Sequence, residues 1–197
     1  MPETLIVASS SSARRLILER AGVPFVAEAS GLDEDEWKAR LAERPVEEVA
    51  EALAEAKAMR VCARHPGALV LGADQILDCD GARFDKPADK AAAARQLRLL
   101  RGRRHRLVNG LVLARNGHAV WRHREIATLW MRDFSDAFLE RYLAEAGPEV
   151  LESVGAYRLE GPGAQLFERI EGDFFAVLGL PLLALLGALR REGLVPR

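Results

Sequence analysis

The sequence is poor in cysteine, has no excess of either charge and lacks a long apolar run. Its two cysteines, Cys62 and Cys79, do not have the spacing of metal ligands and are too few for a disulfide framework. The formal net charge of -1 over 197 residues excludes a global field that would recruit nucleic acid, so a site for a polyanion must be local. The most apolar stretch, residues 179–189, is too short to cross a membrane.

No basic segment of the signal-peptide type opens the chain, which begins Met1-Pro2-Glu3-Thr4. No internal repeat, low-complexity segment or long linker divides it. Hydrophobic residues make up 49% and charged residues 29%, which is the balance of an ordinary globular protein. We therefore expect a single domain over residues 1–197, located in the cytoplasm, with neither a membrane nor a nucleic acid as partner.

Strand and helix patterns alternate in the first half of the sequence, and an antiparallel hairpin with a turn at Asn116–Gly117 follows. This order predicts an α/β fold: a mixed twisted sheet flanked by helices, with two lobes around a cleft. The predicted strands are residues 5–8, 23–29, 68–74, 107–114, 119–131 and 165–169, and the predicted helices start near Arg14, Pro45, Ala88, Ser135 and Leu180.

The first fifteen residues combine a strand, a hydroxyl-rich loop and a helix start. Leu5–Ala8 is the strand, Ser9–Ser12 is the loop, and Arg14 and Arg15 open the helix. Backbone N–H groups and the positive end of the helix dipole favour anions at such a junction, and guanidinium groups match phosphate oxygens in charge and geometry. The pattern therefore predicts a phosphate site. The alternative is that Ser12 is the N-cap and both arginines lie in solvent.

Four charged residues lie beside apolar segments farther along the chain. Asp74 ends a short buried strand, unless residues 75–78 continue it, and strand ends are where α/β sheets bind ligands. Glu34 lies in the acidic run Asp33–Glu36, and Lys57 lies next to the apolar face of a predicted helix. Lys86 precedes a proline. Singly, these residues also suit a strand cap, a solvated surface or a simple ion pair.

Taken together, the same groups suit the hydrolysis of a nucleotide. Carboxylates bind a hard divalent cation, and a carboxylate or the cation activates a water molecule. Arginine and lysine stabilise the charge that builds on the phosphates. The sequence pattern leaves open whether these groups meet in one site.

Several short motifs resemble those of the Maf family of nucleoside triphosphate pyrophosphatases. The opening loop, Ala8–Arg15, is similar to the family's A-S-x-S-P-W-R-R, with Ser12 in place of Pro and Ala13 in place of Trp. The resemblance implies a Maf or ITPase-like fold. The other similar pieces follow in the family's order and cover nearly the whole chain: Leu53–Ala58, Gly72–Gln75, Lys86–Pro87, Leu100–His105, Gly155–Tyr157, Glu160–Gly161, Glu171–Gly172 and Val177–Leu182.

The resemblance also implies a role for each site residue. Asp74 would be the catalytic carboxylate that accepts a proton, and Glu34 would share with it a divalent cation, Mg²⁺ or Mn²⁺. Lys57 and Lys86 would contact phosphate or the catalytic acid. Arg14 and Arg15 would hold the triphosphate, and the remaining residues implied in substrate binding are Ser9, Ser11, Ala13, Gln75 and Glu160.

The implied reaction is hydrolysis of the α–β phosphoanhydride bond of a nucleoside triphosphate, which releases a nucleoside monophosphate and pyrophosphate. The resemblance further implies a homodimer, removal of modified or surplus nucleotides, and a link to septum formation.

Three positions divide the resembled family by substrate. Gln75 and Glu160 match the branch of 7-methyl-GTP pyrophosphatases, and a carboxylate such as Glu160 can accept from the N1–H and amino groups of guanine. Ala13 lacks the aromatic face with which Trp would stack on a cationic methylated base. The resemblance thus favours this branch with a broader nucleotide preference. The alternative is the dTTP/UTP branch, which has Arg, Thr and Gln at these positions.

Functions of two other classes fit parts of the sequence. Arg101–Arg106 is a dense basic cluster that a non-catalytic nucleotide- or nucleic-acid-binding module would use. The net charge of -1 and the lack of interleaved aromatic residues disfavour that function. The apolar C-terminal helix would suit a regulator that acts through a protein partner, although burial in the core explains it more simply.

Overall fold

The computed structural model describes residues 4–196. Met1–Glu3, considered above for a signal peptide, and Arg197 lie outside that range. Seven strands are described: β1 (Leu5–Val7), β2 (Phe25–Ala27), β3 (Val70–Cys79), β4 (Ala82–Phe84), β5 (Arg104–Arg115), β6 (His118–Met131) and β7 (Phe167–Glu171). The α-helices described are α1 (Ser12–Arg20), α2 (Glu34–Arg40), α3 (Val46–Cys62), α4 (Lys90–Leu100), α5 (Asp136–Ala146), α6 (Phe174–Val177) and α7 (Leu182–Arg191). None of these helices has the length and apolarity to cross a membrane.

The strands form one mixed sheet in the order β2-β1-β3-β5-β6-β7, and β4 pairs with β3. β1 runs parallel to β2 and to β3, whereas the β3–β4 and β6–β7 pairs are antiparallel. The predicted α/β class with a mixed sheet flanked by helices is therefore confirmed.

The chain divides into two compact units. The first consists of Met1–Gln75, Asn109–Glu125 and Phe174–Arg197, and the second of Ile76–Val108 and Ile126–Asp173. The boundaries fall inside β3, β5 and β6, so each of these strands contributes residues to both units. The expectation of a single domain over residues 1–197 stays a prediction.

The first unit has an apolar core on each face of its strands. Successive residues of a strand point to opposite faces, so the nearly continuous apolar runs of β3 and β5 supply both cores. One core joins the sheet to α1 and α7, and its fully buried members include Leu5, Leu71, Leu111 and Leu185. The other joins the sheet to α3 and includes Ala54, Ala58, Val70 and Val112.

The N-cap of α1 lies one residue before Ser12, the cap considered from the sequence. Ser11 is the N-cap, with extended backbone (φ -63°, ψ 119°), and its side chain accepts from the backbone N–H of Arg14. The alternative in which Ser12 is the cap is wrong, because Ser12 already forms the first helical position. Ile17 and Leu18 form the buried face of α1, whereas Leu16 is exposed.

Helix α3 lies unusually close to the sheet at two glycines. A Cβ atom at Gly72 would lie 2.0 Å from the carbonyl oxygen of Ala54, and one at Gly110 would lie 2.4 Å from that of Ala50. Any side chain at these positions would force α3 away from β3 and β5. The two glycines therefore set the distance between the helix that carries Lys57 and the strand that carries Asp74.

The basic cluster Arg101–Arg106 belongs to the second unit, where several of its members are already paired. Arg103 contacts Asp80, and Arg106 contacts Asp78 with 2.8 Å between Nη2 and Oδ2. His105 is 1% exposed, and its Nε2 lies 2.8 Å from the hydroxyl oxygen of Tyr157. Burial lowers the pKa of His105 to about 4, so this imidazole is neutral near pH 7. The cluster is thus largely engaged within its own unit.

The close approach of α3 makes a stability prediction. Gly110→Ala should lower the free energy of unfolding by about 2 kcal/mol, because overpacking a tight contact moves backbone. The comparison variant is Gly187→Ala in α7, where a Cβ meets nothing closer than 3.9 Å. That substitution should raise the free energy of unfolding by up to about 1 kcal/mol, because alanine favours helix. Urea denaturation measures both, and a Gly110→Ala protein as stable as the wild type would contradict the packing argument.

Candidate active site

The guanidinium group of Arg14 is held by three protein acceptors. Its Nε donates to the carbonyl oxygen of Gly179 at 2.9 Å, and its Nη1 donates to the carbonyl oxygen of Ala73 at 2.9 Å and to Oγ of Ser9 at 3.2 Å. Arg14 is half-buried, so the alternative in which it lies free in solvent is wrong. The hydrogen bonds of Arg14 to residues 4–196 use its Nε and Nη1 atoms. Nη2 therefore remains to donate to a ligand.

The serine loop after β1 is ordered by its own hydroxyl groups. Oγ of Ser9 accepts from the backbone N–H of Ser11 at 3.2 Å as well as from Arg14. Ser9 is 8% exposed, and Ser11 caps α1. Both hydroxyl oxygens act as acceptors here, so their O–H groups can still donate to a phosphate. Ala13 is half-buried, and Arg15 is exposed in the first turn of α1.

Lys57 joins two carboxylates from different elements. Its Nζ lies 2.7 Å from Oδ1 of Asp74 on β3 and 2.8 Å from Oε1 of Glu34 at the start of α2. Lys57 is 6% and Asp74 5% exposed. The structure thus brings together three residues that are separated in the sequence, and Glu34 is the member of the acidic run that reaches Lys57. Asp33 instead caps α2 by accepting from the backbone N–H of Glu36.

Asp74 does not lie at a strand end. β3 continues to Cys79, because residues 77–79 pair with β4 in an antiparallel ladder. The prediction that Asp74 ends the strand is wrong, and its continuation through residues 75–78 is confirmed. A mid-strand position holds the carboxylate on a rigid backbone, facing the helix that carries Lys57.

Burial and charge shift the pKa values in this cluster. Burial raises the pKa of Asp74 above its usual range, and the charges of Lys57 and Arg14 only partly offset that effect. Burial acts in the same direction on Glu34, but the charge and hydrogen bond of Lys57, with Lys38 and Arg14, hold its pKa below the usual value. Burial lowers the pKa of the Arg14 guanidinium, which Asp74 and Glu34 partly counteract. Asp74 is therefore the more basic of the two carboxylates.

The side chain of Gln75 points into a network of amides. Its Nε2 donates to the carbonyl oxygens of Ala176 at 2.9 Å and Val177 at 3.3 Å, and to Oδ1 of Asn109 at 3.3 Å. Asn109 is fully buried, and its Nδ2 donates to Ala176 at 3.0 Å. Asn109 is not among the predicted site residues, although a lone carboxamide inside the apolar run of β5 is a recognisable signal.

Two predicted site residues belong to the second unit. Lys86 is exposed in the segment after β4. Oε1 of Glu160 accepts a hydrogen bond from Nε of Arg158 at 3.0 Å. Oε2 therefore remains as an acceptor for a ligand. Glu160 also lines a cavity of about 140 Å³ within that unit, together with Tyr142, Ala146, Glu149, Val150, Arg158 and Gly161 to Gly163.

The carboxylates of Asp74 and Glu34 are the candidate ligands of a divalent cation. Residues 4–196 contain no group of three or more His, Cys, Asp or Glu side chains suited to a metal ion. Asp74 and Glu34 each contact Lys57 through one oxygen, so each has a second carboxylate oxygen. Mg²⁺ is commonly bound by one or two carboxylates together with substrate phosphates and water, and this pair fits that requirement.

Comparison with known proteins adds to this geometry. Residues 4–192 match the family model described as "Maf-like protein". The chain belongs to the Maf family. It is 55% identical over 194 residues to the nucleoside triphosphate pyrophosphatase of Paramagnetospirillum magneticum, covering 97% of this chain and 100% of the relative.

Other relatives carry a narrower name. The 7-methyl-GTP pyrophosphatase of Brucella abortus is 47% identical over 194 residues, with 98% of each chain covered. The 7-methyl-GTP pyrophosphatase of Rhizobium meliloti is 47% identical over 202 residues, with 99% of each covered. This Maf chain is thus similar over nearly its full length to proteins with both names.

The electrostatics of the cluster make a pKa prediction. Lys57→Met should raise the pKa of Asp74 further, because an opposite charge is removed, and Glu34→Gln should lower it, because a like charge is removed. A ¹³C NMR titration of the Asp74 carboxyl carbon measures both changes. Glu28, whose pKa His65 and Arg64 hold low, should titrate unchanged and is the internal control. Shifts of the same sign in both variants would contradict the assignment.

Proposed function

We propose that this Maf chain hydrolyses nucleoside triphosphates at the α–β anhydride and releases a nucleoside monophosphate and pyrophosphate. The observation that carries the proposal is the contact of the buried Lys57 with both Asp74 and Glu34, in a chain whose relatives are named nucleoside triphosphate pyrophosphatases. The composition of the cluster is that of a phosphoryl-transfer site: carboxylates to handle a proton or a cation, and fixed cations to stabilise phosphate charge.

The opening loop supplies the proposed triphosphate contacts. Nη2 of Arg14 donates to phosphate oxygens while the rest of the guanidinium stays anchored, which fixes its direction before substrate binds. Arg15 adds a second, exposed cation at the start of α1, and the hydroxyls of Ser9 and Ser11 donate to the same oxygens. Lys86 is proposed as a further phosphate contact from the family resemblance.

Asp74 is the proposed proton acceptor. A water molecule attacks the α-phosphorus and its proton passes to an oxygen of Asp74. The bond from the α-phosphorus to the bridging oxygen breaks, and pyrophosphate leaves with that oxygen and the bonding electron pair. Burial makes Asp74 a stronger base than an exposed carboxylate, which favours this transfer. Lys57 holds the carboxylate in place through its 2.7 Å contact and stabilises the negative charge that develops nearby.

The proposed cofactor is a divalent cation, Mg²⁺ or Mn²⁺, held by Asp74 and Glu34. Bound there with the substrate, it would neutralise phosphate charge and lower the pKa of a coordinated water molecule. Glu34, whose pKa is held low, stays ionised over a wide pH range, as a cation ligand must.

A guanine base is the proposed preference. Two relatives are named for 7-methyl-GTP, and Glu160 offers Oε2 to N–H donors at the cavity of the second unit. Ala13 offers no aromatic face for a methylated cationic base, so we propose that GTP and 7-methyl-GTP are both accepted. A homodimer, a cytoplasmic location, and roles in nucleotide house-cleaning and septum formation are proposed from the family resemblance.

The reaction is tested by pyrophosphate release from GTP, 7-methyl-GTP, dTTP and UTP, each with Mg²⁺ or Mn²⁺. Asp74→Asn should lower kcat by about 10³-fold, the scale of a lost general base. The fold is kept because the side chain is nearly isosteric and Lys57 still contacts Glu34. Asp78→Asn, on the same strand and paired with Arg106, is the matched control and should keep full activity. Absence of wild-type activity on every nucleotide, or full activity in Asp74→Asn, would refute the proposal.

Base choice is tested with two variants. Glu160→Gln should lower kcat/KM for GTP and 7-methyl-GTP about tenfold, the scale of a charge-assisted hydrogen bond, and change that for dTTP less than about twofold. Ala13→Trp should raise the ratio of 7-methyl-GTP to GTP turnover about fivefold through cation–π stacking. Equal effects of Glu160→Gln on purine and pyrimidine substrates would assign Glu160 a structural role instead.

A further inference from the structure

Two carboxamides hold the turn that leads from α6 into α7. Nε2 of Gln75 and Nδ2 of Asn109 both donate to the carbonyl oxygen of Ala176, at 2.9 and 3.0 Å. Gln75 also donates to the carbonyl oxygen of Val177 at 3.3 Å. The last carbonyl groups of a helix have no partner within it, so these side chains satisfy the end of the four-residue helix α6.

The orientation of both amides is determined by their contacts. Asn109 accepts from Gln75 through Oδ1 and donates to the carbonyl oxygens of Ala176 and Glu125 through Nδ2. Rotating the Asn109 amide by 180° would place its oxygen against two carbonyl oxygens. Gln75 has two N–H donors for three acceptors, so its nitrogen is fully occupied and only Oε1 remains for any other partner.

The turn connects this pair directly to Arg14. The backbone N–H of Gly179 donates to the carbonyl oxygen of Ala176 at 3.2 Å, and the carbonyl oxygen of Gly179 accepts from Nε of Arg14 at 2.9 Å. Gly179 has φ +91°, and a Cβ there would lie 3.3 Å from Oε1 of Gln75. The direction of the Gly179 carbonyl therefore depends on a turn whose other end the two amides hold.

We propose that Asn109, acting with Gln75 through the 176–179 turn, is a positioning residue for Arg14. It directs the Gly179 carbonyl at Nε, and thereby aims Nη2 at the substrate. This inference rests on the proposed function only in that Arg14 is taken to bind phosphate. Gln75 accordingly acts through its amide nitrogen on the protein itself and does not donate to the base.

The enzymatic test uses the shape-matched variant Asn109→Asp. It keeps an oxygen for Gln75 but places a second carboxylate oxygen where Nδ2 met the Ala176 carbonyl. We expect kcat/KM for GTP to fall about tenfold, the loss of one charge-assisted interaction. In an Arg14→Ala background the same substitution should change kcat/KM less than about twofold, because the residue it positions is gone. An equal loss in both backgrounds would overturn the proposal.

A spectroscopic test does not depend on turnover. The Nε–H proton of Arg14, identified by its absence from the spectrum of Arg14→Lys, should exchange with solvent at least about tenfold faster in Asn109→Asp than in the wild type, because its hydrogen bond to Gly179 is weakened. Asn109→Ser, which removes the carboxamide without introducing a carboxylate, provides the same measurement should Asn109→Asp fold poorly. Unchanged exchange in a folded variant would overturn the proposal.

Leu113→Val is the matched control. Leu113 lies on the same strand as Asn109, is fully buried in the apolar core that joins the sheet to α1 and α7, and makes no contact of the amide network. The substitution should lower the melting temperature while leaving the Arg14 signal and kcat/KM unchanged, and a change in either would assign the Asn109 effect to general destabilisation. If the wild type releases no pyrophosphate but the Arg14 signal responds to Asn109→Asp, the proposed function fails and the positioning role stands.

Discussion

The buried contact between Lys57 and Asp74 is the interaction on which the rest of the site depends. A lysine ammonium and a carboxylate at 6% and 5% exposure are stable only as partners, because either alone would be an uncompensated buried charge. Their 2.7 Å contact requires α3 to lie tightly against β3, which the glycines opposite Ala54 and Ala50 permit. The packing of the apolar face of α3 thus brings Lys57 and Asp74 into contact. Lys57 in turn contacts Glu34 at the start of α2.

The negative and positive charges of the candidate site in the first unit are nearly equal in number before any substrate binds. Two carboxylates and two cations lie within one another's electrostatic influence, as the pKa shifts of Asp74, Glu34 and Arg14 show. A triphosphate adds several negative charges to this set, so further cations are required when it arrives. Arg15, Lys86 and a divalent cation are the proposed sources. The anchored Arg14 differs from them in being fixed beforehand, since three protein acceptors hold it.

The two units carry different parts of the proposed function. Residues proposed for the chemistry, Asp74, Lys57 and Glu34, belong to the first unit, and Glu160, proposed for base choice, belongs to the second. Relatives with the general name and relatives with the narrower name match this chain over nearly their full length. Gln75 lies at the boundary in sequence, and its amide nitrogen serves the first unit.

Local pattern was sufficient for most of the fold. Apolar periodicity, turn residues such as Asn116–Gly117 and the cap Ser135 predicted most of the strands and helices, because each depends on near neighbours. The short helices α2 and α6 were not predicted. The motifs likewise named Asp74, Lys57 and Arg14. Tertiary structure decided the rest. Lys57 reads as a surface lysine in sequence, and only the packing of α3 buries it against Asp74. Arg14 and Asn109 find their partners across 165 and 67 residues, and no local rule contains contacts of that separation.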